Sequence, residues 1–169
     1  MFTKFDVLNT IINEHKLINH LAEKITTKEQ LEYRPTVGQR STHELLAYIT
    51  RMSMTLTTMM QKKEMDPETL GKMKEESEAK NMLTDFTQAM DAQLAMVTEY
   101  INSVPDAELK EEFDLFKMGK PMMAKSYFMM VLQQYPAYRM QLFQYLKSGL
   151  GMTKLNTMNV WMGADTPKK

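Results

Sequence analysis

Residues 41–59, STHELLAYITRMSMTLTTM, decide the fold class. Ser41 and Glu44 form a capping-box pattern, because the serine hydroxyl can accept from the amide of Glu44 while the glutamate carboxylate accepts from the amide of Ser41. The apolar residues behind this start recur every three or four positions: Leu45, Tyr48, Ile49, Met52, Leu56 and Met59. This spacing places them on one helix face. The sequence therefore predicts a long amphipathic helix over about residues 42–63.

Three other segments show the same helical spacing and predict helices over about residues 5–23, 80–102 and 121–148. Their apolar faces comprise Leu8, Ile11, Ile12, His15, Ile18 and Ala22 in the first, Leu83, Phe86, Met90, Leu94, Val97 and Ile101 in the second, and Phe128, Val131, Gln134 or Tyr135, Tyr138, Leu142 and Tyr145 in the third. Gly149 and Gly151 follow the last helix, where a left-handed cap requires glycine. Since no segment alternates like a strand, we expect an all-α fold, a four-helix bundle.

Polar connectors join these helices in our interpretation. Thr-Thr-Lys-Glu at residues 26–29 begins one capped turn, because a threonine hydroxyl can accept from the amide three residues on, and Pro35 ends it because the proline ring disfavours helical geometry at Arg34. Residues 61–80 carry charges of both signs, so we interpret them as a solvated connector with a short turn at Pro67.

The chain divides into one helical domain, residues 1–151, and a C-terminal tail, residues 152–169. The tail contains the only tryptophan, Trp161, and we expect its end to be frayed. The chain has 19 methionines, many of them on the helix faces, and they predict an adaptable apolar core.

Composition excludes several classes of function. The 169 residues carry 21 basic and 21 acidic side chains, so the net charge is zero, and a nucleic-acid-binding protein would need a basic face. The absence of cysteine excludes disulfides, thiolate catalysis and cysteine-ligated zinc. The longest apolar run is far shorter than the roughly 20 residues that span a bilayer, and the N-terminus has no signal-peptide pattern. We therefore expect a cytoplasmic protein with no membrane partner.

Two stretches follow a known family pattern in their order and separation. Arg34-Pro35 and a short loop containing Gly38 lead into the capped start STHELLAYI at residues 41–49. The last helix reads YRMQLFQYLK at residues 138–147 and is followed by glycine. Both stretches resemble the DinB-like (DinB/YfiT) family of four-helix bundles. The resemblance implies a bundle with a long crossover, which residues 61–80 would supply, and a homodimer.

The resemblance also implies a metal site, because many family members hold a divalent metal with three histidines and some are thiol-dependent transferases or isomerases. The matching positions here are Tyr48, Gln134 and Tyr138, and none is histidine. Tyrosine, with a pKa of about 10, is a poor ligand at neutral pH, and a neutral glutamine oxygen is a weak one. We therefore predict that the chain holds no metal and no other cofactor at these positions.

The histidines do not replace the missing ligands. His15 and His20 are five residues apart and point to different faces of the first helix, and His43 lies in the first turn of the next. His15 lies on an apolar face, where a satisfied core histidine is favoured over a catalytic base. We assign no catalytic residue.

Two interpretations remain for the former metal site. Tyr48, Gln134 and Tyr138 either fill the interior by satisfying one another, or they line, with His15, a small pocket for an uncharged or anionic ligand. Nearby Arg51 and Arg139 are interpreted as solvated or salt-bridged.

The sequence thus favours a non-catalytic, metal-free bundle that acts as a scaffold or binds a small ligand in the former metal cavity. The alternative is a metal-dependent transferase or hydrolase of the DinB/YfiT type with altered ligands. Nucleic-acid binding is a third hypothesis, which the balanced charge disfavours.

Overall fold

The computed structural model describes residues 3–112 and 127–167, and this part of the chain is all-helical. Its α-helices are α1 (Lys4–Ala22), α2 (Lys28–Glu32), α3 (Thr42–Lys62), α4 (Pro67–Glu78), α5 (Phe86–Ser103), α6 (Tyr127–Gln144) and α7 (Thr157–Met162). A short 3₁₀ turn, Glu108–Lys110, follows α5, and one π-helical turn, Tyr145–Gly149, continues α6. The described ranges contain no β-strand, so the all-α prediction is confirmed. Among the described helices, none combines the length and apolarity needed to cross a membrane.

Side-chain caps fix where several of these helices begin. The Glu44 amide donates to the Ser41 hydroxyl at 3.2 Å, and the Ser41 amide donates to the Glu44 carboxylate at 2.8 Å. The capping box predicted for α3 is therefore confirmed, as is the capped turn predicted at residues 26–29, where Thr27 is the capping residue. The same reciprocal arrangement starts α1, α2 and α7, with the pairs Thr3–Asp6, Thr27–Gln30 and Asn156–Asn159.

The four longest described helices, α1, α3, α5 and α6, enclose the core. Both α1 and α3 pack against α5 and α6. Two contacts show that α3 and α6 run antiparallel: Tyr48 contacts Tyr138 ring to ring, and the Thr57 and Tyr127 hydroxyls are hydrogen-bonded at 2.8 Å. Fully buried apolar side chains from all four helices fill the space between them: Ile11, Ile18, Leu45, Ile49, Met90, Ile101 and Leu142.

Residues 61–80 differ from the prediction, because most of them form a helix of three turns. The Asp66 side chain accepts from the amides of Glu68 and Thr69, and Pro67 occupies the first helical position. The resulting helix, α4, packs against α3 and buries Ser77. A polar composition did not prevent helix formation here, since one side of α4 is covered by its neighbour.

The predicted start of the third long helix at residue 80 is also wrong, because α5 begins at Phe86. The Asn81 side chain accepts from the amide of Leu83, and the Asp85 carboxylate accepts from the amide of Asn81. These short side chains bond the local backbone in a turn, which competes with a helical conformation.

The C-terminal segment is folded from residue 152, and Asp165 and Thr166 at its end are hydrogen-bonded to Lys24 and Asn156, whereas residues 168 and 169 of the end predicted to be frayed lie outside the described residues. Helix α7 packs against α1 and α6, and it buries Val160, while Leu155 is buried just before it. Gly151 has a φ of +67°, which confirms the predicted left-handed cap there.

Gly149 serves a different purpose from Gly151. A Cβ at this position would clash with the ring of Tyr33, so glycine permits the end of α6 to approach the segment after α2. The predicted start of the last helix at residue 121 and the side chain of Phe128 lie outside the described residues.

Candidate functional site

Tyr48 of α3 and Tyr138 of α6 lie side by side on the contact between the two helices. Their ring centroids are 4.7 Å apart with the planes tilted by 53°. Burial, followed by the neighbouring Tyr138 hydroxyl, raises the pKa of Tyr48 to about 12. The structure thus brings together two of the residues assigned from sequence to a ligand cavity, and the Tyr48 hydroxyl stays neutral at pH 7.

These residues do not fit a divalent metal ion. A metal-bound side chain must be deprotonated, and the raised pKa of Tyr48 opposes formation of its phenolate. The Gln134 side-chain oxygen is a neutral and weak donor to a metal. Within residues 3–112 and 127–167, no three His, Asp or Glu side chains lie close enough to hold a metal. We assign no metal-dependent step to this site.

Three buried polar atoms without partners in the described chain belong to residues of α3 and α6. Gln134 Oε1, Thr55 Oγ1 and Arg51 Nε are buried, and none has a hydrogen-bond partner in the described chain. Helical spacing places Tyr48, Arg51 and Thr55 on one side of α3, and places Gln134 and Tyr138 on one side of α6. We name these five residues the α3–α6 seam.

Residues of the seam lie at matching heights along the two helices. Because α3 and α6 are antiparallel and Tyr48 meets Tyr138, one turn forward along α3 corresponds to one turn back along α6. Arg51 therefore lies at the level of Gln134. The guanidinium of Arg51 is 5.0 Å from the centre of the Tyr48 ring, and that of Arg40 is 4.3 Å from it. The seam combines aromatic rings, positive charge and an unused hydrogen-bond acceptor.

His15, the fourth residue assigned from sequence to the cavity, contacts Tyr135 rather than the tyrosines of the seam. Its Nε2 lies 2.8 Å from the Tyr135 hydroxyl, and the ring centroids are 5.1 Å apart. Burial lowers the pKa of His15 to about 4, so the imidazole is neutral at pH 7. His15 Nδ1 is buried without a partner in the described chain. This environment fits a core histidine, because a general base needs a substrate within reach.

A buried ion pair lies beside His15: the sequence left a salt-bridged role open for Arg139 but did not predict its partner, Glu14. Arg139 donates two hydrogen bonds to the Glu14 carboxylate, from Nε at 2.7 Å and from Nη2 at 3.1 Å. Arg139 also donates to the Val160 carbonyl, and its guanidinium lies 5.0 Å from the Trp161 ring centre. The sequence contains one indication of this pair: Glu14 lies at helical spacing within the apolar face of α1, which indicates a buried carboxylate.

Three concave regions lie elsewhere on the described surface. A groove of about 140 Å³ between α3, α4 and α5 is lined in part by Arg51. A cleft of about 790 Å³ separates the end of α1 from the C-terminal segment, and Lys24 pairs there with Asp165 at 2.8 Å. A third region, of about 400 Å³, lies beside Ile25 and Met82. These three linings do not include the four residues assigned from sequence: His15, Tyr48, Gln134 and Tyr138.

Comparisons with protein-family models, curated proteins and solved structures gave no match to this chain.

Proposed function

We propose that the chain is a metal-free, non-catalytic bundle of the DinB-like four-helix type, and that it binds a small polar ligand at the α3–α6 seam. The observation that carries this proposal is the set of buried polar atoms without partners on Arg51, Thr55 and Gln134. A buried polar atom without a hydrogen bond costs about 1 to 3 kcal/mol. A ligand that bonds these atoms recovers this free energy when it binds.

The chemistry of the seam favours a planar ligand that carries an amide. Gln134 Oε1 is an acceptor and needs a donor, whereas Arg51 Nε is a donor and needs an acceptor. An amide offers both groups within a few ångströms. The rings of Tyr48 and Tyr138 provide an apolar surface on which a flat ligand can pack.

The architecture supports the family part of the proposal. The contacts of α1 and α3 with α5 and α6 are those expected of four bundled helices, and the capped start of α3 lies where the resemblance requires it. Helix α4 lies within the segment that the resemblance assigns to the crossover.

Nicotinamide is a suitable first probe, because it is planar and its amide carries both a donor and an acceptor. A ligand that binds only the folded state at 100 times its dissociation constant adds about 2.7 kcal/mol of stability. We expect nicotinamide to raise the melting temperature of the wild type and to titrate with a measurable heat. Toluene, which lacks the amide, is expected to do neither.

Two matched variants on α6 locate the binding. Gln134→Ala removes the unpaired acceptor and should abolish the effect of nicotinamide. Gln133→Ala, an exposed neighbour, should leave that effect unchanged. Equal nicotinamide effects in both variants, or no effect in the wild type, would contradict binding at the seam and leave the scaffold interpretation.

Metal analysis tests the alternative of a metal-dependent enzyme. Protein purified without chelator should contain far less than one equivalent of zinc or nickel, and EDTA should not change its melting temperature. Stoichiometric metal together with a melting temperature lowered by EDTA would overturn the metal-free proposal.

A further inference from the structure

The groove between α3, α4 and α5 is a second candidate binding site, and it shares Arg51 with the seam. Its volume is about 140 Å³, which equals the share of roughly four to five water molecules in the liquid. A small organic molecule fits this space, whereas a nucleotide does not. Much of the lining is apolar and comes from three helices, with Met54 on α3, Met73 on α4 and Ala92 on α5.

Arg51 lines this groove as a cation, and no anion among the described residues pairs with it. Its Nε is buried without a hydrogen-bond partner, and no carboxylate in the described chain lies within ion-pair distance of it. Burial lowers the pKa of Arg51 from its usual value, which is the signature of a charge that is poorly solvated. Its guanidinium is held against the Tyr48 ring, so its position is fixed on one side.

The other charged groups around the groove leave an excess of positive charge. Lys80 lines the groove as a second cation, and Arg40 adds a third positive charge over the Tyr48 ring. Glu76 lines the groove from an exposed position, and Glu78 is the acidic group whose field reaches Arg51. Within the part of the chain that the structure describes, neither carboxylate forms an ion pair with Arg51.

We infer that this groove binds a short aliphatic carboxylate, with its carboxylate on Arg51 and its hydrocarbon chain against Met54, Met73 and Ala92. The planar guanidinium matches a carboxylate by two parallel hydrogen bonds. The methionine side chains adapt their shape to a short hydrocarbon chain. A dianion such as phosphate fits less well, because a largely apolar lining does not solvate its second charge. This inference uses the Arg51 side chain that the seam also contains, but it does not require that the seam binds a ligand.

Butyrate titrated into protein labelled with ¹³C at the methionine methyl groups tests the inference. We expect saturable shifts of the Met54 and Met73 methyl signals, while methionines far from the groove stay unchanged. Butylamine, which has the same chain and the opposite charge, should give no saturable shift. Inorganic phosphate should bind more weakly than butyrate.

Three variants separate specific binding from a general charge effect. Arg51→Gln should weaken butyrate binding by about tenfold or more, because it removes a charged hydrogen-bonding partner. Lys74→Gln removes the same charge from α4 outside the lining and should change binding little. Ala92→Leu fills the groove from an exposed position and should abolish the shifts while the protein stays folded.

Glu76→Gln is expected to bind butyrate more tightly than the wild type. A variant that is merely destabilised would not show this increase in affinity. Removing this carboxylate from the lining should strengthen butyrate binding several-fold. Absence of saturable methyl shifts with butyrate in the wild type would overturn the inference. Equal affinities of the Arg51→Gln and Lys74→Gln proteins for butyrate would overturn it as well.

A competition experiment relates this site to the seam, because both assignments use Arg51. Butyrate is titrated with and without saturating nicotinamide, and occupation of Arg51 by nicotinamide should raise the apparent dissociation constant of butyrate. Failure of butyrate with success of nicotinamide contradicts the groove alone, and the reverse outcome contradicts the seam alone.

Discussion

Arg139 connects three parts of the molecule through one guanidinium group. It pairs with Glu14 of α1, lies on α6 and donates to the Val160 carbonyl of α7. Because both members of the ion pair are buried, each charge depends on the other for compensation. The residue is therefore expected to matter far more for stability than an exposed arginine would.

Replacing one member of this pair should cost more than replacing both. Arg139→Met leaves the Glu14 carboxylate buried without a cation, and we expect it to lower the free energy of unfolding by about 3 to 5 kcal/mol. Glu14→Met together with Arg139→Met removes both charges and should recover a large part of that loss. Urea unfolding of the wild type, both single variants and the double variant measures the coupling. Additive losses would show that the two side chains do not depend on each other.

His15 makes the stability depend on pH in a defined window. Its pKa is lowered by burial from 6.5 to about 4, so the unfolded state binds a proton on this residue before the folded state does. As the pH falls from about 6.5 to about 4, folding should lose up to about 3 kcal/mol from this group alone. His15→Phe should lose less stability than the wild type between pH 7.5 and pH 4.5 in urea unfolding. Carboxylates titrate in both proteins, so the difference between the two pH profiles isolates His15. Parallel profiles would contradict the assignment.

For single residues, the sequence predicted which side chains lie close together better than it predicted which charged groups form ion pairs. The family pattern put Tyr48 and Tyr138 at one site, and the two rings are in contact. The pair of Glu14 and Arg139 was not predicted, because 125 residues separate them and helical spacing says nothing about the partner of a buried charge. The unpaired atoms of the seam depend on side-chain conformations that no spacing rule determines.

Tyr33 and Gly149 show how closely two elements approach. The end of the π-helical turn after α6 rests against the Tyr33 ring, and Tyr33 in turn meets Tyr145 edge to face at a centroid distance of 5.9 Å. Gly149→Ala should lower the free energy of unfolding by about 1 to 3 kcal/mol, because the new methyl group overlaps the ring. Combining it with Tyr33→Ala should cost less than the sum of the two single losses. Melting temperatures of the wild type, the two single variants and the double variant measure the losses. Additive losses would contradict the close contact between Gly149 and Tyr33.

Helix α7 is expected to contribute to stability although it has only six residues. A chain ended after Gly151 loses the buried side chains of Leu155 and Val160, which together account for about 3 to 6 kcal/mol of apolar burial. It also loses the Val160 carbonyl that accepts from Arg139. We expect a markedly lower melting temperature than that of the full chain. A truncated chain that melts at the same temperature would contradict the packing of α7.

At the scale of elements, the predictions succeeded where a cap and an apolar face coincide. α3 has both, and its predicted bounds of 42–63 agree with Thr42–Lys62. The helical start of α4 at Pro67 was predicted, but its length of 12 residues was not, because its sequence is polar and its burial depends on α3, which a local pattern does not include. α7 was missed because its capping pair uses two asparagines at positions 156 and 159, in a segment read as a tail.

The association state is a property of the whole molecule. The family resemblance predicts a homodimer. Exposed apolar side chains on α7 provide surface for association: Met158, Trp161 and Met162. We expect light scattering at micromolar concentration to give twice the mass of the 19.7 kDa chain. A monomeric mass across this concentration range would count against the dimer and weaken the family assignment.

The bridge from Glu14 to Arg139 also has a consequence for the order of events during protein synthesis. The ribosome makes α1 first, and the carboxylate of Glu14 has no arginine to meet until 125 further residues have been added. The Val160 carbonyl, which completes the bonding of Arg139, is made later still. We therefore expect nascent chains to keep α1 accessible to chaperones and proteases until residue 160 has been made, so that these helices fold as one unit rather than one by one.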